Sequence, residues 1–214
     1  MQTLITELIR DYNNIKSRIE ERLADFQSIW QNASDTEILY ELVFCILTPQ
    51  SKPDLCWEAV QRLKDNDFFS MNSDKEILEH LYGVRFKYKK SEFVREARDF
   101  CLCLNKGLKQ TLSAQGDIYT ARQWLVNHIK GIGIKEAGHF LRNIGRGEEL
   151  AILDRHVLRF LLSAEVITQI PSSLSNSRYL EIEKKMQTYA KQIEIGMGPL
   201  DFLLFYRATG KIFK

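Results

Sequence analysis

Apolar residues along this chain recur at steps of three and four rather than alternating, and only four prolines and eleven glycines interrupt its 214 residues. That spacing predicts helices throughout. From Thr3 to Trp30 the positions Leu4, Leu8, Tyr12, Ile15, Ile19, Leu23 and Phe26 share one helical face. Ser34-Asp35-Thr36-Glu37 carries the capping-box pattern, so a helix is predicted from there through Leu47, ended by Pro49. Lys52-Pro53-Asp54 opens another to about Leu63, Asp74 caps a short one to Leu81, and Gly83 breaks the pattern before a basic segment at Arg85. Further helices are predicted over Lys89 to about Leu104, from Gly116-Asp117 to His128, from Lys135 to Ile144, after Asp154, over Tyr179 to Ile193 and over Pro199 to Ala208. Thr168 to Ser177, rich in serine, is predicted as a surface loop.

The apolar share of 44% is that of a folded globular protein. The longest unbroken apolar run, Leu42 to Leu47, is far below the ~20 residues of a bilayer-spanning helix. Met1-Gln2-Thr3-Leu4-Ile5-Thr6-Glu7 lacks the basic-then-apolar order of a signal peptide, so a cytoplasmic or nucleoid setting is expected. Cys45, Cys56, Cys101 and Cys103 form no Cys-x-x-Cys pair, and His80, His128, His139 and His156 are scattered. Reduced, mostly buried thiols and no metal site are expected. A net charge of +2 neither demands nor excludes a polyanionic partner, so any nucleic-acid reading has to come from local clusters.

The most informative cluster lies between Trp124 and Arg159, where Gly131-Ile132-Gly133 joins two predicted helices. Two glycines flanking one apolar residue allow a sharp turn whose bare amides can face a phosphate. Such a turn grips DNA backbone without reading sequence. Taken alone it is equally an ordinary helix connection with a glycine C-cap. Lys135 opens the following helix, and Asp154 stands in Ala151-Ile152-Leu153-Asp154-Arg155-His156-Val157. Separately these two are a solvated helix-start residue and an N-cap. Jointly they suit covalent chemistry: an uncharged lysine amine attacks a sugar carbon at the glycosidic bond and expels the base as a Schiff base forms. A carboxylate can stabilise positive charge on the sugar and help position or deprotonate the lysine.

Ile129-Lys130-Gly131-Ile132-Gly133-Ile134-Lys135-Glu136-Ala137 with Leu153-Asp154-Arg155-His156-Val157 resembles the helix-hairpin-helix, Gly-Pro-rich loop and aspartate (HhH-GPD) signature of base-excision DNA glycosylases. Gly138-His139-Phe140-Leu141-Arg142-Asn143 and the ending Gly210-Lys211-Ile212-Phe213-Lys214 are similar to the archaeal-type 8-oxoguanine DNA glycosylase/AP lyases. The resemblance puts Lys135 at the nucleophilic lysine of bifunctional members and Asp154 at their aspartate. It gives Lys130, Gly131, Ile132 and Gly133 the task of holding the DNA backbone. It places Gln50, in Thr48-Pro49-Gln50-Ser51, in the gap left by the extruded base, a segment otherwise readable as a helix-ending turn. Gln50 also departs from the asparagine-like residues common there in 8-oxoguanine enzymes, which leaves the opposite-base preference open. By the same resemblance Phe86, within Arg85-Phe86-Lys87-Tyr88-Lys89-Lys90, and Phe205, often tryptophan in the family, are candidate stacking walls of the base pocket. Lys214 and Asp201 are candidate base contacts. The bare patterns also fit a solvated turn, a helix packing position, a frayed end and a helix N-cap region, respectively.

Together these readings imply an all-α fold of two helical subdomains, residues 31–147 and residues 1–30 with 148–214, with a DNA-binding cleft between them. The implied activity is excision of 8-oxoguanine by base flipping, Schiff-base formation and β-elimination. The expected partner is double-stranded damaged DNA, bound by a monomer without cofactor, metal or membrane. Alternatives are removal of an oxidised pyrimidine by the same lysine and aspartate, and a non-catalytic helix-hairpin-helix module that only holds DNA.

Overall fold

A computed structural model describes residues 2–214; Met1, the first residue of the expected 1–30 segment, lies outside the described residues. The all-α expectation holds. Among the described residues there are eleven α-helices, one 3-10 turn at Phe68–Ser70, and no strand. None of these helices is long and apolar enough to cross a membrane. The chain divides into two compact units, one of Met1–Ile29 with Leu141–Lys214 and the other of Trp30–Phe140. The sequence boundaries at 30/31 and 147/148 thus stand beside observed ones at 29/30 and 140/141.

In the continuous unit, α2 (Asp35–Leu47) is the central helix. Its residues from Ile38 to Leu47 are all buried, Glu41 included, so it is enclosed around its full circumference instead of along one stripe. Its start is fixed by the full capping box: Glu37 N–H donates to the Ser34 hydroxyl at 3.3 Å, and Ser34 N–H donates to the Glu37 carboxylate at 2.8 Å. Around α2 pack α3 (Pro53–Asp65), α5 (Lys87–Leu102) and α6 (Gly107–Ser113), while α4 (Asp74–Glu79) lies on α5. Ser73, not Asp74, caps α4, because the Ser73 side chain accepts the Glu76 amide while Asp74 is already helical. Helix α5 starts two residues earlier than its apolar pattern predicts, at Lys87. Helix α7 (Ile118–His128) is capped by Asp117, whose Oδ1 accepts the Tyr119 and Thr120 amides at 2.8 and 3.0 Å. Helix α8 (Ile134–Asn143) contains the 140/141 boundary.

The discontinuous unit takes most of α1 (Gln2–Asn32), then α9 (Arg155–Ser163), α10 (Asn176–Gln192) and α11 (Met197–Thr209). Leu8, Ile15, Ile19, Leu23 and Phe26 form the buried face of α1, and Phe26 stacks on Phe202 of α11 with ring centroids 5.9 Å apart. Gly145 sits so close to α1 that a Cβ there would lie 2.6 Å from the Gln27 Cα and the Phe26 carbonyl oxygen. Only hydrogen fits in that space, and the backbone φ of +72° also favours glycine.

Candidate active site

Lys135 occupies the first turn of α8, immediately after the hairpin. Gly131 turns the chain with φ +81°, and a Cβ on it would strike the Phe93 ring at 2.4 Å. The turn is therefore folded directly onto α5, with Ile132 buried beneath it as a plug. Gly131 and Gly133 are exposed. Lys130, next to them, pairs with Glu96 of α5 at 3.0 Å, and its side chain is 70% exposed. The Lys135 side chain is only 28% exposed, and its ammonium lies 3.1 Å from Glu136 Oε1. The other oxygen of Glu136 accepts the Gly133 amide at 3.3 Å. One carboxylate thus neutralises the lysine and occupies a hairpin N–H at the same time.

Asp154 is held from the other side of the sequence by α10. The segment 151–153 runs without helix into Asp154, and its backbone polar groups are gripped by buried side chains. Tyr179 donates its hydroxyl to the Ala151 carbonyl at 2.6 Å and accepts the Leu153 amide at 3.2 Å. Glu183 accepts the Ala151 amide at 2.8 Å. Asp154 is then the N-cap of α9: its Oδ1 accepts the His156 and Val157 amides, each at 2.8 Å. Among the described residues nothing bonds to Oδ2. The carboxylate is locked by one oxygen and offers the other.

Several further candidates take distinct environments. Gln50 is exposed at the tip of the turn after α2, with a left-handed φ of 57°. Phe86 is 58% exposed and also left-handed, φ 57°, at the N-terminus of α5. Both turns belong to the continuous unit. In the other unit, Phe205 is half-buried on α11 and Lys214 half-buried at the chain end. Asp201 is buried, 7% exposed, and forms an ion pair with Arg142. Arg142 in turn lies 4.5 Å from the centre of the Phe202 ring. Among the described residues no group of three His, Cys, Asp or Glu side chains could hold a metal ion.

Two residues of this neighbourhood escape the sequence reading. Glu136 follows Lys135 directly, but only the folded hairpin brings its carboxylate back onto Gly133. Lys90 belongs to the basic run of Arg85 to Lys90, yet it is 5% exposed. Its position had a signal: Lys90, Val94, Ala97 and Cys101 fall at helical spacing on the buried face of α5.

The 8-oxoguanine DNA glycosylase family profile, of helix-hairpin-helix type, matches residues 19–195. This chain belongs to that family. The 8-oxoguanine DNA glycosylase/AP lyase of Fusobacterium nucleatum is 42% identical over 212 residues, 97% of this chain and 96% of the relative. The crystal structure of the Thermotoga maritima 8-oxoguanine DNA glycosylase superposes with a TM-score of 0.88 at 34% identity, covering 100% of both chains. The Methanocaldococcus jannaschii 8-oxoguanine glycosylase/lyase, solved in complex with a 15mer DNA containing 8-oxoguanine, gives 0.87 at 35% identity, again covering 100% of both. The family fold is therefore present over its full length.

Proposed function

We propose that this chain is a bifunctional enzyme that excises 8-oxoguanine from duplex DNA and then cleaves the strand at the abasic site. The observation that carries this reading is Lys135, half-buried, on the first turn of the helix that follows a phosphate-gripping glycine hairpin, with Glu136 as its ion-pair partner. Lysine is the nucleophile that a combined glycosylase and lyase needs, because its amine, unlike water, stays bonded to the sugar.

The damaged nucleotide is extruded from the stack while the bare amides of the hairpin, with Lys130, hold its strand by the phosphates. The Lys135 amine attacks C1′; the bond from C1′ to the base breaks, and its electron pair leaves with the base, which takes up a proton. Asp154 supports the positive charge that develops on the sugar and receives or steers protons from the attacking amine. Ring opening gives a Schiff base between C1′ and Lys135, and loss of a C2′ proton expels the 3′ phosphate. Phe86 and Phe205 stack on the extruded base, and Lys214 and Asp201 contribute to its recognition. Gln50 fills the gap and bonds the widowed base through its amide. The enzyme acts as a monomer, without cofactor, at the nucleoid where its substrate lies.

Borohydride trapping on duplexes carrying 8-oxoguanine, oxidised pyrimidines, uracil or an A:G mismatch tests the proposal. The expected result is a covalent adduct and free base with 8-oxoguanine, both abolished in Lys135→Gln. Full excision by Lys135→Gln would rule out the lysine mechanism, a stronger reaction with oxidised pyrimidines would move the substrate, and binding without an adduct on any duplex would leave only a DNA-holding module.

A further inference from the structure

Lys90 buries its ammonium in the crook of the turn that carries Gln50. Its Nζ donates to the Leu47 carbonyl at 2.6 Å, the Pro49 carbonyl at 2.7 Å and the Ser51 hydroxyl at 3.0 Å. An ammonium has three protons, and all three are used. Burying a charge in this way is costly, and an ordinary helix end is served by water, a glycine cap or a hydroxyl. What a lysine adds is three divergent donors on one atom, able to fix three points of a short turn relative to each other. The turn needs that fixing, because Gln50 stands in the left-handed region, φ 57°, which a side-chain-bearing residue leaves readily.

The same residue reaches the second candidate turn. The Lys90 main-chain N–H donates to the Phe86 carbonyl at 3.1 Å, closing the first turn of α5, which Phe86 enters in its own left-handed conformation, also φ 57°. The Ser51 hydroxyl, besides accepting from Lys90, accepts the Arg85 amide at 3.0 Å. The Cys56 thiol donates to the Leu47 carbonyl at 3.2 Å, tying α3 into the same knot. The buried Lys90 ammonium is thus bonded directly to the turn of Gln50 and, through the Ser51 hydroxyl, to the turn of Phe86, both of which present an exposed side chain on strained backbone.

We propose that Lys90 is a positioning residue that locks the Gln50 turn to the Phe86 turn, so that filling the gap and stacking on the flipped base are set together. This rests on the roles given to Gln50 and Phe86 above. The test is a double-mutant cycle on single-turnover excision of 8-oxoguanine from duplex DNA, with Lys90→Met made in the wild-type chain and in Gln50→Ala. A roughly ten-fold loss is expected in the wild-type chain and less than two-fold in Gln50→Ala, where the turn has nothing left to position. Equal losses in both backgrounds would mean that Lys90 acts through the fold or through Lys135, and would overturn the inference, as would no loss in either. If circular dichroism finds Lys90→Met unfolded, Ser51→Ala takes its place in the same cycle, with about a three-fold loss expected against none. No excision by the wild-type chain would overturn the functional reading and this inference together, whereas wild-type excision with additive variants would overturn the inference alone.

Discussion

At the scale of single residues, the observed cap and the proposed catalytic task of Asp154 can be separated by substitution. Its Oδ1 caps α9 by accepting two amides, and its Oδ2 is open. Asparagine caps as well as aspartate but carries no charge. Asp154→Asn is therefore expected to leave urea-denaturation stability within about 0.5 kcal/mol of wild type while single-turnover excision falls by on the order of 100-fold. Asp154→Ala is expected to lose the same activity and, in addition, about 1 kcal/mol of stability with the cap. An Asp154→Asn enzyme of normal activity would show that the residue works only as a cap. The cap could be read from the sequence, because an aspartate before an apolar helix is a cap pattern; the proposed catalytic task rests on the resemblance of the Lys135 and Asp154 segments to a family signature. Lys90 is harder to read. Four cations interleaved with two aromatics look like a solvated patch, and only the helical spacing of Lys90 with Val94, Ala97 and Cys101 marks it as the one that points inward.

At the scale of elements, the hairpin has a geometry that admits little variation. Gly131 has a left-handed φ and no room for a Cβ beside Phe93, so Gly131→Ala strains the backbone and pushes the turn off α5 at once. We expect it to cost on the order of 1–3 kcal/mol in stability and to weaken duplex binding equally for damaged and undamaged DNA, since the role proposed for the hairpin is to hold backbone, not bases. Fluorescence-anisotropy titrations with both duplexes check this, and a loss confined to damaged DNA would assign the turn to base recognition instead. The helices around it follow from the sequence because their apolar spacing is long and their caps are explicit, as at Ser34 and Asp117. Helix α6 does not follow, being only seven residues with Leu108 and Leu112 as its buried positions, too short to show a period. It is held by distant partners: the Lys109 amide donates to Asp35 at 2.6 Å, and the Lys109 ammonium reaches the Gln31 and Ala33 carbonyls. The Phe68–Ser70 turn is likewise a product of packing, with Arg98 of α5 donating to the Phe68 and Met71 carbonyls from a buried position.

At the scale of the whole molecule, buried titratable groups give the fold a defined response to alkaline pH. Burial pushes the Lys90 ammonium down to about 8, against 10.5 for a free lysine, with Arg85 and Lys135 adding to the fall and Cys56 and Glu136 opposing it. Burial also pushes the Cys56 thiol up to about 11 and the Cys101 thiol up to about 12, from 9. Between pH 8 and 9 the unfolded chain holds the Lys90 proton that the folded chain has released, which on its own raises stability by ~1 kcal/mol over that interval; the unfolded Cys56 and Cys101 thiols begin to ionise there and offset more than half of it, so the net rise is shallow. Above pH 9 the sign reverses: both unfolded thiols ionise while their folded counterparts stay protonated, and two such groups outweigh one lysine. Tyr12, Tyr40 and Tyr189, each raised by burial, steepen the decline past pH 10. Urea midpoints measured from pH 7.5 to 10.5 at constant ionic strength are expected to pass through a maximum near pH 9. Lys90→Met should erase the rise below that maximum and Cys101→Ala should soften the fall above it. A flat wild-type profile across this range would mean that these three side chains are far more hydrated than their packing implies.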